Sequence, residues 1–445
     1  MKYYLAIDIG ASSGRHIVAH VENGRLVTEE IYRFPNGAKE VDGRLYWDVD
    51  GIFDNILKGL ERAGELNKIP AYIGIDTWAV DYALIGEDGK RLYPVFCYRD
   101  ARGERAAAKV HKKIPFNSLY EKTGIQYQPF NTVYQLYDDK TEGRLKKAYK
   151  MLMLPDYFNY LLTGVIKQEY TNATSTGLVN ATKNDWDEDI LKTLGIDKSI
   201  FSKPTMPGCV VGGLKDEIAK KVGYKSIIAL PATHDTASAV DALDIGEGVP
   251  YLSSGTWSLL GVKIKKALTD EKSAATNWSN EGGPAYFRYQ KNIMGLWLVQ
   301  RLRSELCPEK SFDEIVKEVE KCPYNRVIDV NDKIFFSPPS MKKAFDDATK
   351  GGGERPISEA DYFKAAYLGL AHCYKRTLDE LYDNTGIRAE KLYIAGGGAK
   401  NDYLNGLTAE VCGVEVIALP VEATAIGNLK RIISADGVDV SALVY

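Results

Sequence analysis

Asp8-Ile9-Gly10-Ala11-Ser12-Ser13-Gly14-Arg15 is the stretch on which the reading of this chain turns. Before it, Tyr3–Ile9 is apolar. After it, Arg15–Val21 alternates apolar and polar residues. A Gly- and Ser-rich turn between two such runs predicts a strand–turn–strand hairpin. The turn lacks the Gly-Lys-Ser/Thr ending of a P-loop, and its second element reads as strand rather than helix. Both features argue against a Walker or Rossmann phosphate site. Two readings of the turn remain open. It is a plain hairpin with a solvent-facing Asp8, or its backbone N–H groups point at an anion while Asp8 holds Mg²⁺ through water.

Working outward, Leu26–Phe34 reads as a third strand. Asp48–Gly64 has helical spacing, with Ile52, Ile56, Leu57 and Leu60 on one face. Ala71–Ile75 is a short buried strand ending in Asp76, and Val80–Ile85 continues as a strand. In a mixed middle region, Leu145–Leu162 is the clearest predicted helix. Ile227–Leu230 is a strand and Asp235–Leu243 a small-residue helix. The opening pattern then returns as strand Tyr251–Ser253, turn Ser254-Gly255-Thr256 and strand Trp257–Ile264, about 250 residues later. A chain of 445 residues suggests two or three domains, and the repeated opening suggests two related halves. The boundaries expected are 1–244 and 245–445.

The second half adds helices at Ile293–Leu306, Phe312–Val319 and Tyr362–Tyr382. Strand Leu392–Ile394 runs into Ala395-Gly396-Gly397-Gly398-Ala399, followed by helix Asp402–Cys412 and strand Val414–Ala418. Lys350-Gly351-Gly352-Gly353-Glu354 has charged flanks and no strand before it, so it reads as a surface loop.

Composition excludes several classes. Lys and Arg number 57 against 60 Asp and Glu, a net charge of −3, which gives no electrostatic reason to expect nucleic acid or an anionic membrane as partner. No apolar run approaches the roughly 18 residues of a membrane span. The N-terminus turns acidic at Asp8 before a signal-peptide core could form. The six cysteines are scattered, without a CxxC pair, so neither structural zinc nor a disulfide framework is indicated, and a cytoplasmic location is expected.

Four further stretches could carry chemistry. Ser253-Ser254-Gly255-Thr256-Trp257-Ser258 offers a second phosphate-style turn in which the Thr256 hydroxyl could meet a phosphate oxygen; a hairpin turn explains it equally. Ala395–Asn401 follows a strand and precedes a helix, and its three glycines allow close backbone approach to a ring or phosphate. In His234-Asp235-Thr236, Asp235 could take a proton from a substrate hydroxyl, although Asp is also a preferred helix N-cap. Asp76-Thr77-Trp78-Ala79-Val80-Asp81-Tyr82 mixes acids and rings in a way that suits a polyol, or ordinary sheet-edge polarity. Tyr98-Arg99-Asp100-Ala101-Arg102 reads as a solvated turn.

Taken in order, these motifs resemble the FGGY carbohydrate kinases over nearly the whole chain. Met153–Phe158, Glu169–Thr174, Ser253–Gly261, Asn280–Gly283 and Lys291–Trp297 extend the likeness. The resemblance implies an actin-like ATPase fold of α/β class, with two RNase H-like domains flanking an active-site cleft. It implies phosphoryl transfer from ATP with Mg²⁺. By resemblance, Ala11, Ser12, Ser13, Gly14, Arg15 and Thr256 hold the nucleotide phosphates, and Gln300 and Gly397 hold the nucleoside. Asp8 attends the metal, and Asp235 is the proton acceptor. Ala79, His234, Thr236 and Asn292 match sugar-binding positions, Ala79 standing where Gly is expected. The sugar implied is L-rhamnulose, phosphorylated at its C1 hydroxyl. L-fuculose or D-xylulose, or a non-kinase ATPase of the same fold, are the alternatives. Monomer and homodimer are both left open.

Overall fold

The computed structural model describes residues 1–351, 354–419, 422–441 and 443–444. Gly352 and Gly353 of the expected surface loop lie outside the described residues. The chain forms two compact units. One comprises Met1–Asp244, Lys265–Arg288 and Ala423–Tyr445; the other comprises Ile245–Ile264 and Tyr289–Glu422. The first unit's opening segment ends at Asp244, and the division is not a single cut. Segment 265–288 and the final helix return to the first unit because their apolar and polar partners lie there.

The first unit is built on a six-stranded sheet in the order Val210–Gly213, Ile227–Ala229, Pro70–Thr77, Tyr3–Ile9, Ser13–Glu22, Arg25–Pro35. The opening hairpin is antiparallel, with Asp8 opposite Arg15. Pro70–Thr77 runs parallel to Tyr3–Ile9 and pairs Asp76 with Asp8. Ile227–Ala229 is parallel in turn to Pro70–Thr77.

Both faces of this sheet are covered, which explains why Tyr3–Ile9 reads as a continuous apolar run. Leu5, Ile7 and Ile9 share one core with Ile52, Ile56 and Leu60 of helix Val49–Glu65. Tyr4 and Ala6 point the other way, into a core with Leu429 and Ile432 of helix Ala423–Ala435. That alternation is the period of two that a strand imposes. Helix Val49–Glu65 starts where Asp48 accepts a hydrogen bond from the Gly51 N–H at 3.1 Å, an N-cap that satisfies an otherwise open donor.

In the second unit, the strands follow the order Tyr286–Met294, Trp257–Ile264, Tyr251–Ser254, Lys391–Ala395, Glu415–Ala418. Tyr251–Ser254 is antiparallel to Trp257–Ile264 and parallel to Lys391–Ala395, which is parallel to Glu415–Ala418. In both sheets the first strand lies between its hairpin partner and a parallel strand, with a third strand beyond the hairpin. The α/β fold class expected from the sequence is therefore present twice.

Several expected elements differ. Leu145–Leu162 is not one helix. Arg144–Lys147 forms a 3₁₀ turn, Lys150–Met153 a strand, and the helix is Leu154–Thr163. The apolar run pairs antiparallel with Tyr82–Ile85, and Pro155 suits only the helix's first turn. Likewise the helix expected from Ile293 begins at Trp297, because the preceding residues extend strand Tyr286–Met294. Val80 does not open a strand: its φ of 68° places a β-branched residue in the left-handed region, and the strand starts at Tyr82.

Candidate active site

Three neighbouring strand ends of the first unit carry carboxylates. Asp8 closes Tyr3–Ile9, Asp76 closes Pro70–Thr77, and Asp235 opens helix Asp235–Ala242 after strand Ile227–Ala229. The end of a parallel strand is where open α/β sheets gather their ligands. Asp8 Oδ2 receives Arg15 Nε at 2.9 Å and Arg15 Nη2 at 2.8 Å. Two residues of the expected phosphate turn are thus locked together across the hairpin.

Asp76 is fully buried. Its Oδ2 accepts from Asn428 Nδ2 at 2.6 Å, while its Oδ1 has no hydrogen-bond partner. Burial, then the charge of Asp8, push this carboxyl well above the usual carboxylate range; Asn428 opposes them and Asp235 adds to them. Burial likewise raises Asp235, with His234 opposing and Asp8 reinforcing the shift. The fold therefore disfavours the charged form of both carboxyls.

The His234–Asp235 turn is fixed from several sides. Thr77 N–H donates to Thr233 O at 2.9 Å. Thr233 gives both its N–H (3.1 Å) and its hydroxyl (2.7 Å) to Glu169 Oε2. Glu169 also accepts from the backbone of Thr171 and Asn172, capping their helix. His234, not Asp235, is the N-cap residue of its helix and makes no side-chain capping bond. Asp235 Oδ1 accepts instead from Thr236 N–H and, at 3.2 Å, from the Thr236 hydroxyl. The capping explanation of Asp235 does not apply, and its side chain remains about one-third exposed.

Ala79 does not need the conformational freedom of glycine. The left-handed residue is Val80, held by the Thr132 hydroxyl on its carbonyl at 2.7 Å while Asp81 N–H reaches Ala79 O at 3.0 Å. Asp81 is not available to a polyol. It accepts from Trp47 Nε1 (2.6 Å), Trp78 Nε1 (3.0 Å), Tyr98 N–H (3.1 Å) and Gln135 Nε2 (3.2 Å). Burial nevertheless raises it to about 6. The stretch read as a solvated turn is also internal: Asp100 pairs with Arg44 at 2.9 Å, and buried Arg102 with Asp139 at 2.9 Å. Balanced charges explain why composition alone could not tell this network from a wet loop.

In the second unit, three loops converge. Leu296 N–H donates to Gly255 O at 2.8 Å, and Trp297 N–H to Thr256 O at 3.2 Å. Gly295 sits so close that a Cβ there would lie 2.5 Å from the Trp257 carbonyl carbon and 2.7 Å from the Gly255 and Thr256 oxygens. Gly396, at φ 86°, and Gly398 pack on Ser254. The Ser254–Thr256 turn thus contacts both the start of the helix bearing Gln300 and the Gly396–Gly398 loop. Asn292 lies in strand Tyr286–Met294, whose end is tied by Met294 N–H to Asn331 Oδ1 at 2.9 Å.

Among the described residues no group of three or more His, Cys, Asp or Glu is arranged to cage a metal. The donors do fit a hydrated divalent cation, which takes one or two carboxylates and keeps its waters. The unpartnered Oδ1 of Asp76 and the mutual repulsion of Asp8, Asp76 and Asp235 are what such an ion would relieve.

Comparison with known proteins identifies the family. Residues 3–240 match the N-terminal domain model of the FGGY family of carbohydrate kinases, and residues 251–433 match its C-terminal domain model. The chain belongs to this family. It is 42% identical over 433 residues to a rhamnulokinase of Halalkalibacterium halodurans, covering 96% of this chain and 92% of that one. It is 39% identical to a rhamnulokinase of Bacillus subtilis, covering 96% and 89%. Among solved structures, a ligand-bound xylulose kinase of Lactobacillus acidophilus has a TM-score of 0.84 at 18% identity, covering 99% of this chain and 91% of that one. A glycerol kinase of Plasmodium falciparum with ADP has a TM-score of 0.77 at 17% identity, with 99% and 91% covered. The fold is the two-domain fold of these kinases, and the chain is an ATP-dependent carbohydrate kinase whose family uses a divalent metal. No helix among the described residues is long and apolar enough to cross a membrane.

Two charged residues escaped assignment from the sequence. Glu169 and Glu281 were visible only as members of family-like stretches. The one signal available for Glu169 was its place just before Thr171-Asn172, where a carboxylate can cap a helix.

Proposed function

We propose that this kinase transfers the γ-phosphoryl group of ATP to the C1 hydroxyl of L-rhamnulose, giving L-rhamnulose 1-phosphate and ADP in rhamnose catabolism, in the cytoplasm. The observation that carries the choice of sugar is the 42% identity, over nearly the whole chain, to a protein named rhamnulokinase. The residue roles rest on the family resemblance together with the geometry of each unit.

Phosphoryl transfer asks a protein for positioning and charge neutralisation more than for covalent chemistry. Asp235 accepts the C1 hydroxyl proton as that oxygen attacks the γ-phosphorus. A carboxyl pushed up by its surroundings, yet exposed enough to meet substrate, is suited to this task. Ala11–Arg15 and Thr256 offer backbone N–H groups, a guanidinium and a hydroxyl to the phosphates. Gln300 and Gly397 take the nucleoside. Ala79, His234, Thr236 and Asn292 orient the ketose. Mg²⁺, held near Asp8 through water, would supply positive charge to the phosphate oxygens.

The test is ADP release with ATP and Mg²⁺, comparing L-rhamnulose, L-fuculose and D-xylulose with a sugar-free control. Clear preference for L-rhamnulose is expected. Preference for another ketose would keep the kinase and overturn the sugar. Sugar-independent turnover would point to an ATPase of the same fold.

A further inference from the structure

One fully buried carboxyl, unused in the roles above, ties the Asp235 turn to the short helix Tyr170–Thr174. Glu169 Oε1 accepts from Thr171 N–H at 2.8 Å. Its Oε2 accepts from the Thr171 hydroxyl at 2.6 Å, Asn172 N–H at 3.1 Å, Thr233 N–H at 3.1 Å and the Thr233 hydroxyl at 2.7 Å. All of these donors are neutral, and Thr233 is 64 residues away along the chain. The Thr171 hydroxyl, its proton turned to Glu169, accepts from His234 N–H at a long 3.4 Å. Thr233 O is held from the other side by Thr77 N–H at 2.9 Å and, more loosely, by Asn172 Nδ2 at 3.4 Å. Every polar group of Thr233 is therefore bonded, directly ahead of His234 and Asp235.

An ionised carboxylate suits this set of donors, because it accepts at both oxygens and donates at neither. A glutamine would have to set its NH₂ against Thr171 N–H or, turned over, against Asn172 and both Thr233 donors. Burial raises the Glu169 carboxyl, while the bonds from Thr171, Thr233 and Asn172 draw it back down. Its buried neighbour Asp156 receives only Glu169 N–H, at 3.1 Å on Oδ1, and its Oδ2 has no partner. Burial, then the Glu169 charge, push Asp156 well above the usual carboxylate range. Of the two carboxyls, Glu169 is the one built to hold the charge. Asp235 has no comparable support of its own. Among the described residues, its carboxylate accepts hydrogen bonds from the adjacent Thr236 alone. It goes where its backbone goes, and Glu169 holds that backbone.

We infer that Glu169 is a positioning residue for phosphoryl transfer: its carboxylate fixes the Thr233–His234 backbone and so sets where Asp235 stands toward the acceptor hydroxyl. This role rests on the reading that Asp235 takes the substrate proton. A general base must lie within hydrogen-bond reach of the proton it removes. A misplacement of about 1 Å, even from a change outside the reacting groups, can cost about 10²-fold in rate. The Thr233 hydroxyl is the part of the link that can be removed without touching the cap of helix Tyr170–Thr174. Thr233→Val keeps the shape and loses the hydroxyl; Thr233→Ser keeps the hydroxyl.

The experiment combines steady-state kinetics, on the ketose the enzyme turns over fastest, with calorimetric titration of the nucleotide. Glu169→Gln should lower kcat by about tenfold or more, toward the roughly 10²-fold of a misplaced base, with nucleotide affinity unchanged. Thr233→Val should lower kcat by less, and Thr233→Ser should restore it. Joined to Glu169→Gln, Thr233→Val should cost little more, because the two changes break one link. A folded Glu169→Gln with wild-type kcat would overturn the inference, as would a parallel loss of nucleotide affinity, which marks a general loosening. If Glu169→Gln does not fold, the Thr233 pair decides: wild-type kcat in Thr233→Val, or no recovery in Thr233→Ser, would overturn it equally. Failure of the underlying reading looks different: Asp235→Asn would then turn over normally, whatever the Glu169 and Thr233 variants do.

Discussion

The two units build the same sheet order around a first hairpin, yet they equip the hairpin edge in opposite ways. In the first unit the edge is charged. Asp8 is bound to Arg15, Asp76 is buried with an oxygen unpartnered, and Asp235 is raised by its surroundings. In the second unit the corresponding loops carry Thr256, Gly295 and Gly396–Gly398, and they are joined by backbone contacts too close to admit a Cβ at Gly295. One edge stores electrostatic cost; the other is a problem of steric fit. A common fold thus supplies two places for a ligand, and the side chains decide what each can do there.

The largest effect that would sharpen this contrast is a split between activity and stability at Asp235. A carboxyl whose folded value is raised is disfavoured in its charged form by the fold. Its contribution to stability therefore declines as pH rises from the unfolded value toward the folded one. Asp235→Asn removes that penalty. The variant should melt at or above the wild-type temperature while turnover falls by about 10²–10⁴-fold, the usual worth of a general base. Titration calorimetry should find nucleotide binding nearly intact. Unchanged turnover would remove Asp235 from the chemistry.

Next in size is a purely structural charge effect in the same unit. His16 lies on strand Ser13–Glu22, is fully buried, and has its Nε2 3.2 Å from Ile56 O. Burial depresses it to about 4, against an opposing contribution from that carbonyl. A depressed histidine is neutral in the fold but takes a proton when unfolded. Its contribution is thus present near pH 7 and is lost as pH falls from about 6.5 to about 4. The shift corresponds to roughly 3 kcal/mol. Urea unfolding at pH 7 and pH 4 should show wild type losing about that much more stability than His16→Gln. Equal losses would mean that the ring is protonated inside the fold.

Much of this contrast was legible in the sequence, for local reasons. The Asp8–Arg15 turn, the returning Ser254–Thr256 turn and the Gly-rich loop after Leu392–Ile394 each declare themselves within a few residues. What escaped depends on contacts far apart in the chain. The run Lys150–Met153 is a strand only because Tyr82–Ile85 pairs with it, and the run ending at Met294 only because a sheet continues it. Asp81 reads as a polyol ligand until Trp47 and Gln135 are brought onto it. Glu281 has no local signature at all; His234 and Arg288 come within 3.1 Å of it only through the fold.

In the second unit the expected effects are smaller and steric. Gly295→Ala would drive a Cβ against three backbone atoms of the Gly255–Trp257 turn, and backbone cannot rotate away as a side chain can. Overpacking of this kind costs about 1–3 kcal/mol. Displacement of the turn should raise KM for ATP more than KM for the ketose, because Thr256 moves with it. An equal rise in both would show that the turn serves general stability and not the nucleotide.

Gly397→Ala is the smallest perturbation and the sharpest discriminator. A Cβ at Gly397 meets nothing within 4 Å, and its φ lies outside the left-handed region, unlike Gly396 at φ 86°. Neither packing nor backbone strain gives a reason for glycine here. Thermal or chemical unfolding should therefore change by less than about 0.5 kcal/mol, the range of an unconstrained surface substitution. If the methyl group weakens nucleotide binding without touching stability, the open space above Gly397 is what the ligand needs, and the steric character of the second edge is functional. If nucleotide affinity is also unchanged, the nucleoside does not lie against Gly397. The contrast between a charged edge and a close-packed edge would then rest on Gly295, Gly396 and Gly398, where the fold itself already demands glycine.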